Sequence, residues 1–160
     1  MTENSSPVAA RTDREIVQRR TFNASRDLVF EMWTDPNHIA QWWGPDGFTT
    51  TVHEMDARPG GVWRFIMHGP DGTDYDNRVS YIEVTKPARL IFTQDSDRDD
   101  DPNQFHVTVT FEERNGQTEL TMTALFDTPQ ARDVVIGFGA VELGKQTLNH
   151  LADYLATMKR

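Results

Sequence analysis

PQARDVVIGFGAVELGKQTLNHLADYLATM, residues Pro129 to Met158, is the stretch that decides the fold. Val134, Val141, Leu148 and Leu155 recur every seven residues, and Gly137, Gly144, Leu151 and Met158 form a companion row three residues on. On a helix the two rows merge into a single apolar seam. Thr128-Pro129 supplies an N-cap and a first-turn proline, so the spacing predicts one long helix from there onward. Two seam positions are glycine, a residue that weakens a helix interior by about 1 kcal/mol relative to alanine. Glycine on a buried face removes side-chain volume, which leaves room for close backbone packing or for a cavity. The seam therefore predicts a helix laid over a sheet with space between them.

The sheet is read from the segments upstream. Phe105, Val107, Val109 and Phe111 alternate with His106, Thr108, Thr110 and Glu112, and Asn115-Gly116 turns this strand into Leu120, Met122, Ala124 and Phe126. Such period-2 alternation describes an antiparallel sheet with one wet face and one dry face. Four further strand-like stretches precede it: Thr49 to Ala57, Val62 to His68, Thr73 to Val84 and Arg89 to Thr93. Turn residues such as Pro59-Gly60-Gly61 and Pro70-Asp71-Gly72 separate them. Arg14 to Phe22 reads as a first strand. Ser25 caps a short helix carrying Leu28, Val29, Met32 and Trp33, and Asp35-Pro36 begins a second short one. The predicted class is α+β: a curved antiparallel sheet of about seven strands around a long C-terminal helix, with two short helices after the first strand.

Composition narrows the functions. The chain has 160 residues, no cysteine and a net charge of −9. Disulfides and thiolate chemistry are excluded, and the acidic balance with only three lysines argues against nucleic acid. No apolar run approaches the length that spans a bilayer, so no membrane association is expected. Met1 to Thr12 is polar and is expected to be a disordered tail before a single domain over residues 13–160. A cytoplasmic location fits these features.

Several motifs carry a family resemblance. They run from Val29-Phe30 through Thr34-Asp35-Pro36 to Gln41-Trp42-Trp43-Gly44-Pro45, then Asp56-Ala57-Arg58-Pro59-Gly60-Gly61 and Pro70-Asp71-Gly72. Val107-Thr108-Val109-Thr110-Phe111, Gly116-Gln117-Thr118-Glu119-Leu120-Thr121 and Gly144-Lys145-Gln146-Thr147-Leu148 follow, ending at Tyr154-Leu155. In order and spacing the sequence resembles the START-like helix-grip superfamily (SRPBCC, Bet v 1-like), and within it the homologues of the activator of heat-shock protein 90 ATPase. The resemblance implies a hydrophobic cavity between sheet and C-terminal helix, used by relatives for apolar molecules and by some for cyclase or dehydratase chemistry. Co-chaperones of that family carry a further N-terminal domain that contacts the chaperone. About twelve residues precede the first strand here, and the co-chaperone role is not carried over.

The expected ligand-binding positions are Trp63, Phe65, Met67, Tyr81, Phe92, Val109, Phe111, Met122, Phe138 and Val141. An inward Tyr81 or Asn77 would orient the ligand. No catalytic residue, cofactor or metal is expected: the five histidines lack ligand spacing, and no nucleophile elbow or phosphate loop occurs. His53 and His68 lie on strands that could bring them together. Asp95-x-Asp97-x-Asp99 starts like a calcium loop, but Asp100 replaces its glycine and His106 its glutamate, so a solvated, dispensable loop is expected. The leading reading is a domain that binds an apolar or aromatic small molecule. A polyketide cyclase or dehydratase-like enzyme using polar groups in the same cavity is the first alternative, and a chaperone-associated stress-response interaction module the second. A homodimer is compatible with the sequence; a chaperone contact is not supported by it.

Overall fold

Alternation and turn chemistry build the sheet as expected. The computed structural model describes residues 13–158, so the N-terminal tail expectation lies outside the described residues. The strands are β1 (Glu15–Phe22), β2 (Thr49–Met55), β3 (Val62–His68), β4 (Asp74–Thr85), β5 (Arg89–Asp95), β6 (Phe105–Arg114) and β7 (Gln117–Leu125). The helices are α1 (Arg26–Thr34), α2 (Pro36–Trp42), α3 (Pro129–Gly137) and α4 (Ala140–Ala156). One antiparallel sheet runs in the order β1-β7-β6-β5-β4-β3-β2, the α+β helix-grip arrangement. Asn115 and Gly116, with φ of 55° and 80°, make the tight turn that sets Glu112 opposite Glu119 in the β6–β7 register. No helix of the described residues is long and apolar enough to cross a membrane.

Caps start the helices. The Ser25 hydroxyl accepts from the Leu28 N–H at 3.3 Å, and the Asp35 carboxylate accepts from Asn37 N–H at 2.8 Å, ending α1 and opening α2 at one residue. These two helices close one end of the sheet with aromatic rings. Trp33 meets Trp42 and Trp43 edge to face at 5.2 and 5.4 Å between ring centres, and Trp43 meets Trp63 at 5.3 Å. Trp63 stacks on Phe65 at 4.0 Å. The core continues through Leu90, Phe92, Val107, Val109, Phe111 and Leu120 on the same face of β5, β6 and β7.

The single long helix is corrected. Phe138 caps α3, and Gly139 adopts φ of +87°, a left-handed conformation that stops one helix before α4 begins. Only the second half of the seam is a core contact: Leu148 and Leu151 are buried, and α3 buries no residue. Val134 and Phe138 are 57% and 80% exposed. The heptad rows signalled helix throughout, but the glycines flanking Phe138 supply a break that periodicity does not register.

Candidate functional site

Between the concave sheet face and the α3–α4 segment lies a recess of about 300 Å³. β1 contributes Ile16 and Gln18, and the α1–α2 end contributes Trp33, Trp43 and Gly44. Met67 of β3, Phe92 and Gln94 of β5, and Phe105 and Val107 of β6 form the floor. Met122, Ala124 and Phe126 extend it along and just beyond β7. Val135, Ala140, Gly144, Thr147 and Leu148 close it from the helical side. None of these side chains titrates near neutral pH. Apart from the indoles of Trp33 and Trp43, the polar side chains on the wall are the amides of Gln18 and Gln94 and the Thr147 hydroxyl.

Each polar group has a defined setting. Gln18 Nε2 donates to the Val141 carbonyl at 2.8 Å. Gln94 Nε2 donates to Asn77 Oδ1 at 3.1 Å, while Asn77 Nδ2 donates to the Tyr75 carbonyl. Thr147 donates to the Leu143 carbonyl at 3.1 Å. Trp33 is 2% exposed, and its Nε1–H is buried with no hydrogen-bond partner among the described residues. One rim is tied down by His150, whose Nδ1 lies 2.7 Å from the Gly44 carbonyl and whose Nε2 lies 2.7 Å from the Asp46 carboxylate. Gln146 Oε1 accepts from the Asp46 N–H beside it.

Of the ten expected ligand-binding positions, Met67, Phe92 and Met122 line this recess. Trp63, Phe65, Tyr81, Val109 and Phe111 do not: each is 4% exposed or less and belongs to the packed core. They do alternate onto the dry face, but α1 and α2 cover that end. Trp43 seals Trp63 and Phe65, and Phe30 and Trp33 seal Phe111. Burial raises the Tyr81 hydroxyl above its ordinary pKa, with Asp56 adding to the effect. Phe138 points away on the exposed break between α3 and α4, and Val141 faces an outer groove with Gln18, Arg20 and Asn149. Sequence reasoning missed Gln18 and Gln94 as wall residues. Period 2 held the signal, since each stands two residues beyond an apolar wall position, Ile16 or Phe92.

The acidic loop is a folded device rather than a solvated hairpin. Arg78 makes a two-pronged pair with Asp95, at 3.1 and 2.9 Å, and reaches Asp99 at 2.8 Å. Arg64 holds Asp97 at 3.1 Å. The buried Asp101 carboxylate accepts from the Ser96 N–H and hydroxyl and from the Asn103 N–H. Burial pushes its pKa up, but the bonds from Asn103 and Ser96, helped by Arg98, outweigh that and hold it below the usual carboxylate range.

Histidines 53 and 68 do not meet. His53 falls at a bulge in the β2–β3 register, and His68 bridges Thr51 and Asp74 at 2.8 Å each. His38 lies 2.8 Å from the Tyr154 hydroxyl and 3.5 Å from Glu31. Among the described residues, Glu31, Asp35 and His38 bring three potential metal-ligand atoms within 4.8 Å of one another. Asp35 is already capping α2 and His38 already meets Tyr154, so the group is occupied with structure. A cleft of about 730 Å³ runs past Glu31 between α1 and the end of α4, away from the recess.

Comparison with known proteins gives a consistent answer. A sequence profile described as "Activator of Hsp90 ATPase homolog 1-like protein" matches residues 23–156. A crystal structure from Mycobacterium smegmatis is similar with a TM-score of 0.83 at 24% identity, covering 93% of this chain and 95% of that one. A solution structure from Staphylococcus epidermidis gives a TM-score of 0.80 at 26% identity, with 92% of each chain covered. The AHSA1 protein of Silicibacter pomeroyi gives 0.75 at 22%, covering 91% of this chain and 99% of that one. No curated protein matches in sequence.

Proposed function

The chain belongs to the family of Activator of Hsp90 ATPase homolog 1-like proteins, and from that premise we propose that it binds an apolar, aromatic small molecule in the recess between sheet and α4. The observation that carries this reading is the wall itself. Five aromatic side chains, Trp33, Trp43, Phe92, Phe105 and Phe126, surround about 300 Å³ of space. Concave, mostly apolar sites with a few placed polar groups are the usual form of a small-molecule pocket. Flat rings offer offset and edge-on contacts to a flat ligand. The volume is at the small end of the usual range, which favours a compact one- to two-ring molecule over a long lipid.

The cyclase-like alternative calls for titratable side chains facing each other in this space. The wall supplies amides and a hydroxyl instead, and none of His38, Tyr154 and Glu31 lines it.

Native mass spectrometry of protein isolated from the producing cells tests the reading. Wild type is expected to carry, or take up from an apolar extract of those cells, a small molecule that is released on denaturation. Met122→Trp, which places an indole in the recess, is expected to lose it. Equal uptake by both proteins, or none by wild type, would overturn the proposal.

A further inference from the structure

We propose that the outer edge of β1 is a docking strand for a second copy of this chain, whose own β1 adds to it antiparallel about a two-fold axis at Val17. The proposal stands apart from the binding role above. β1 ends the sheet, with β7 on its inner side and no strand of the described residues on the other. The Phe126 N–H donates to the Arg14 carbonyl at 2.9 Å, so this opposed pair bonds inward and the ladder alternates from there. Ile16, Gln18, Arg20 and Phe22 therefore bond to β7, and the N–H and C=O groups of Glu15, Val17, Arg19 and Thr21 point out of the sheet. Those of Val17, Arg19 and Thr21 meet no main-chain partner among the described residues. The strand is eight residues long, keeps one register along β7, and contains neither proline nor glycine. Such an edge invites a further strand unless a bulge, a proline or a covering element blunts it. The opposite edge, β2, is blunted by a bulge between Val52 and Glu54. At β1 the neighbouring α4 stands back and leaves a groove of about 430 Å³ along residues 17–20.

Self-complementarity identifies the occupant. Glu15, Val17 and Arg19 share one face of the strand, and Val17 is 43% exposed there. A two-fold axis at Val17 brings the outward-bonding residues of the two copies opposite one another. It sets Val17 against its own copy, and Glu15 of each chain opposite Arg19 of the other. Residues directly opposed on an antiparallel ladder touch through their side chains, and unlike charges there attract. The sequence Glu-Val-Arg at alternate positions thus pairs acid with base and apolar with apolar when it meets itself reversed.

Sedimentation velocity across a concentration series tests this on wild type and four variants. Wild type is expected to show a reversible monomer–dimer equilibrium. Glu15→Arg and Arg19→Glu each turn the attractive cross-strand pairs into repulsive ones, and each is expected to weaken the dimer about tenfold or more. The two substitutions combined are expected to restore it. Val17→Pro removes only an outward N–H, which an edge strand tolerates. It is expected to give a monomer in which the Ile16 and Gln18 amides stay protected from hydrogen exchange. Should Val17→Pro fail to fold, the charge-reversal set decides alone. A wild type that stays monomeric at every concentration, single and double charge variants that dimerise alike, or a dimer that survives Val17→Pro would overturn the proposal. So would a monomer whose Val17 and Arg19 amides are protected, because another strand, such as the chain's own first residues, would then occupy the edge.

Discussion

The Gln18 amide lies directly against Gly144, at the point where a Cβ on that glycine would have to sit. Nε2 of the same amide donates to the Val141 carbonyl at 2.8 Å, one turn earlier on α4. The gap in the apolar seam is therefore filled by a polar side chain from β1, not left as a void. Glycine at 144 permits that side chain to lie flat and join the edge strand to the start of α4.

Replacing Gly144 with Leu should therefore destabilise the protein, by about 1–3 kcal/mol, because the new side chain displaces Gln18 and breaks its bond to Val141. Combining Gly144→Leu with Gln18→Ala should recover part of the loss, since the displaced partner is gone. Denaturant melts of the single and double variants measure the coupling. Additive losses would mean that the two residues do not interact.

Within the acidic loop the carboxylates should separate sharply. Asp99 is 96% exposed at its side chain, and Asp99→Asn should change stability by no more than about 0.5 kcal/mol. Asp101→Asn puts an NH₂ group against buried donors and should cost about 1–3 kcal/mol. The sequence reading expects every carboxylate of the loop to be dispensable; the bonding predicts that for Asp99 and the opposite for Asp101.

The same carboxylate sets a pH dependence. Its pKa is lower folded than unfolded, so the folded protein holds that proton less tightly. The stabilisation is complete above the unfolded value, about 3.9, and is lost as pH falls through the lower folded value. Wild type and Asp101→Asn should converge in stability as acid is added over that window. Parallel curves across it would argue against the assignment.

Gly139 should be hard to replace for a conformational reason alone. Beyond its two chain neighbours, no heavy atom of the described residues lies within 4 Å of a Cβ placed there, yet its φ is +87°. Gly139→Ala should cost about 1–2 kcal/mol. Phe138→Ser, next to it on the exposed break, should be neutral within about 0.5 kcal/mol. Thermal melts of the pair distinguish strain in the backbone from packing of the side chain.

The order of elements, the hairpin and the caps were legible because each rests on local chemistry: Asn115-Gly116 for a turn, Ser25 and Asp35 for helix starts, period 2 for the buried face of β6 and β7. The site was legible only in part. Alternation correctly assigned Trp63, Phe65, Val109 and Phe111 to the dry face, but it carries no information on what covers that face. Where α1 and α2 fold over it, the rings become core; where α4 stands off, Met67, Phe92 and Met122 line open space. Gln18 and Gln94 escaped notice because polar residues on a strand read by default as solvent-facing. The break at Gly139 escaped because a left-handed residue leaves no trace in hydrophobic spacing.

The protein carries its own reporters for the central claim. Met67 and Met122 line the recess, Met158 lines the other cleft, and Met55 packs at the edge of the core. Methyl-labelled methionine NMR during a titration with 2-naphthol reads all four positions at once. The account predicts saturable shifts of the Met67 and Met122 methyls with one common dissociation constant, while Met55 and Met158 stay in place. Shifts confined to Met158, or no saturable shift at Met67 and Met122, would contradict it.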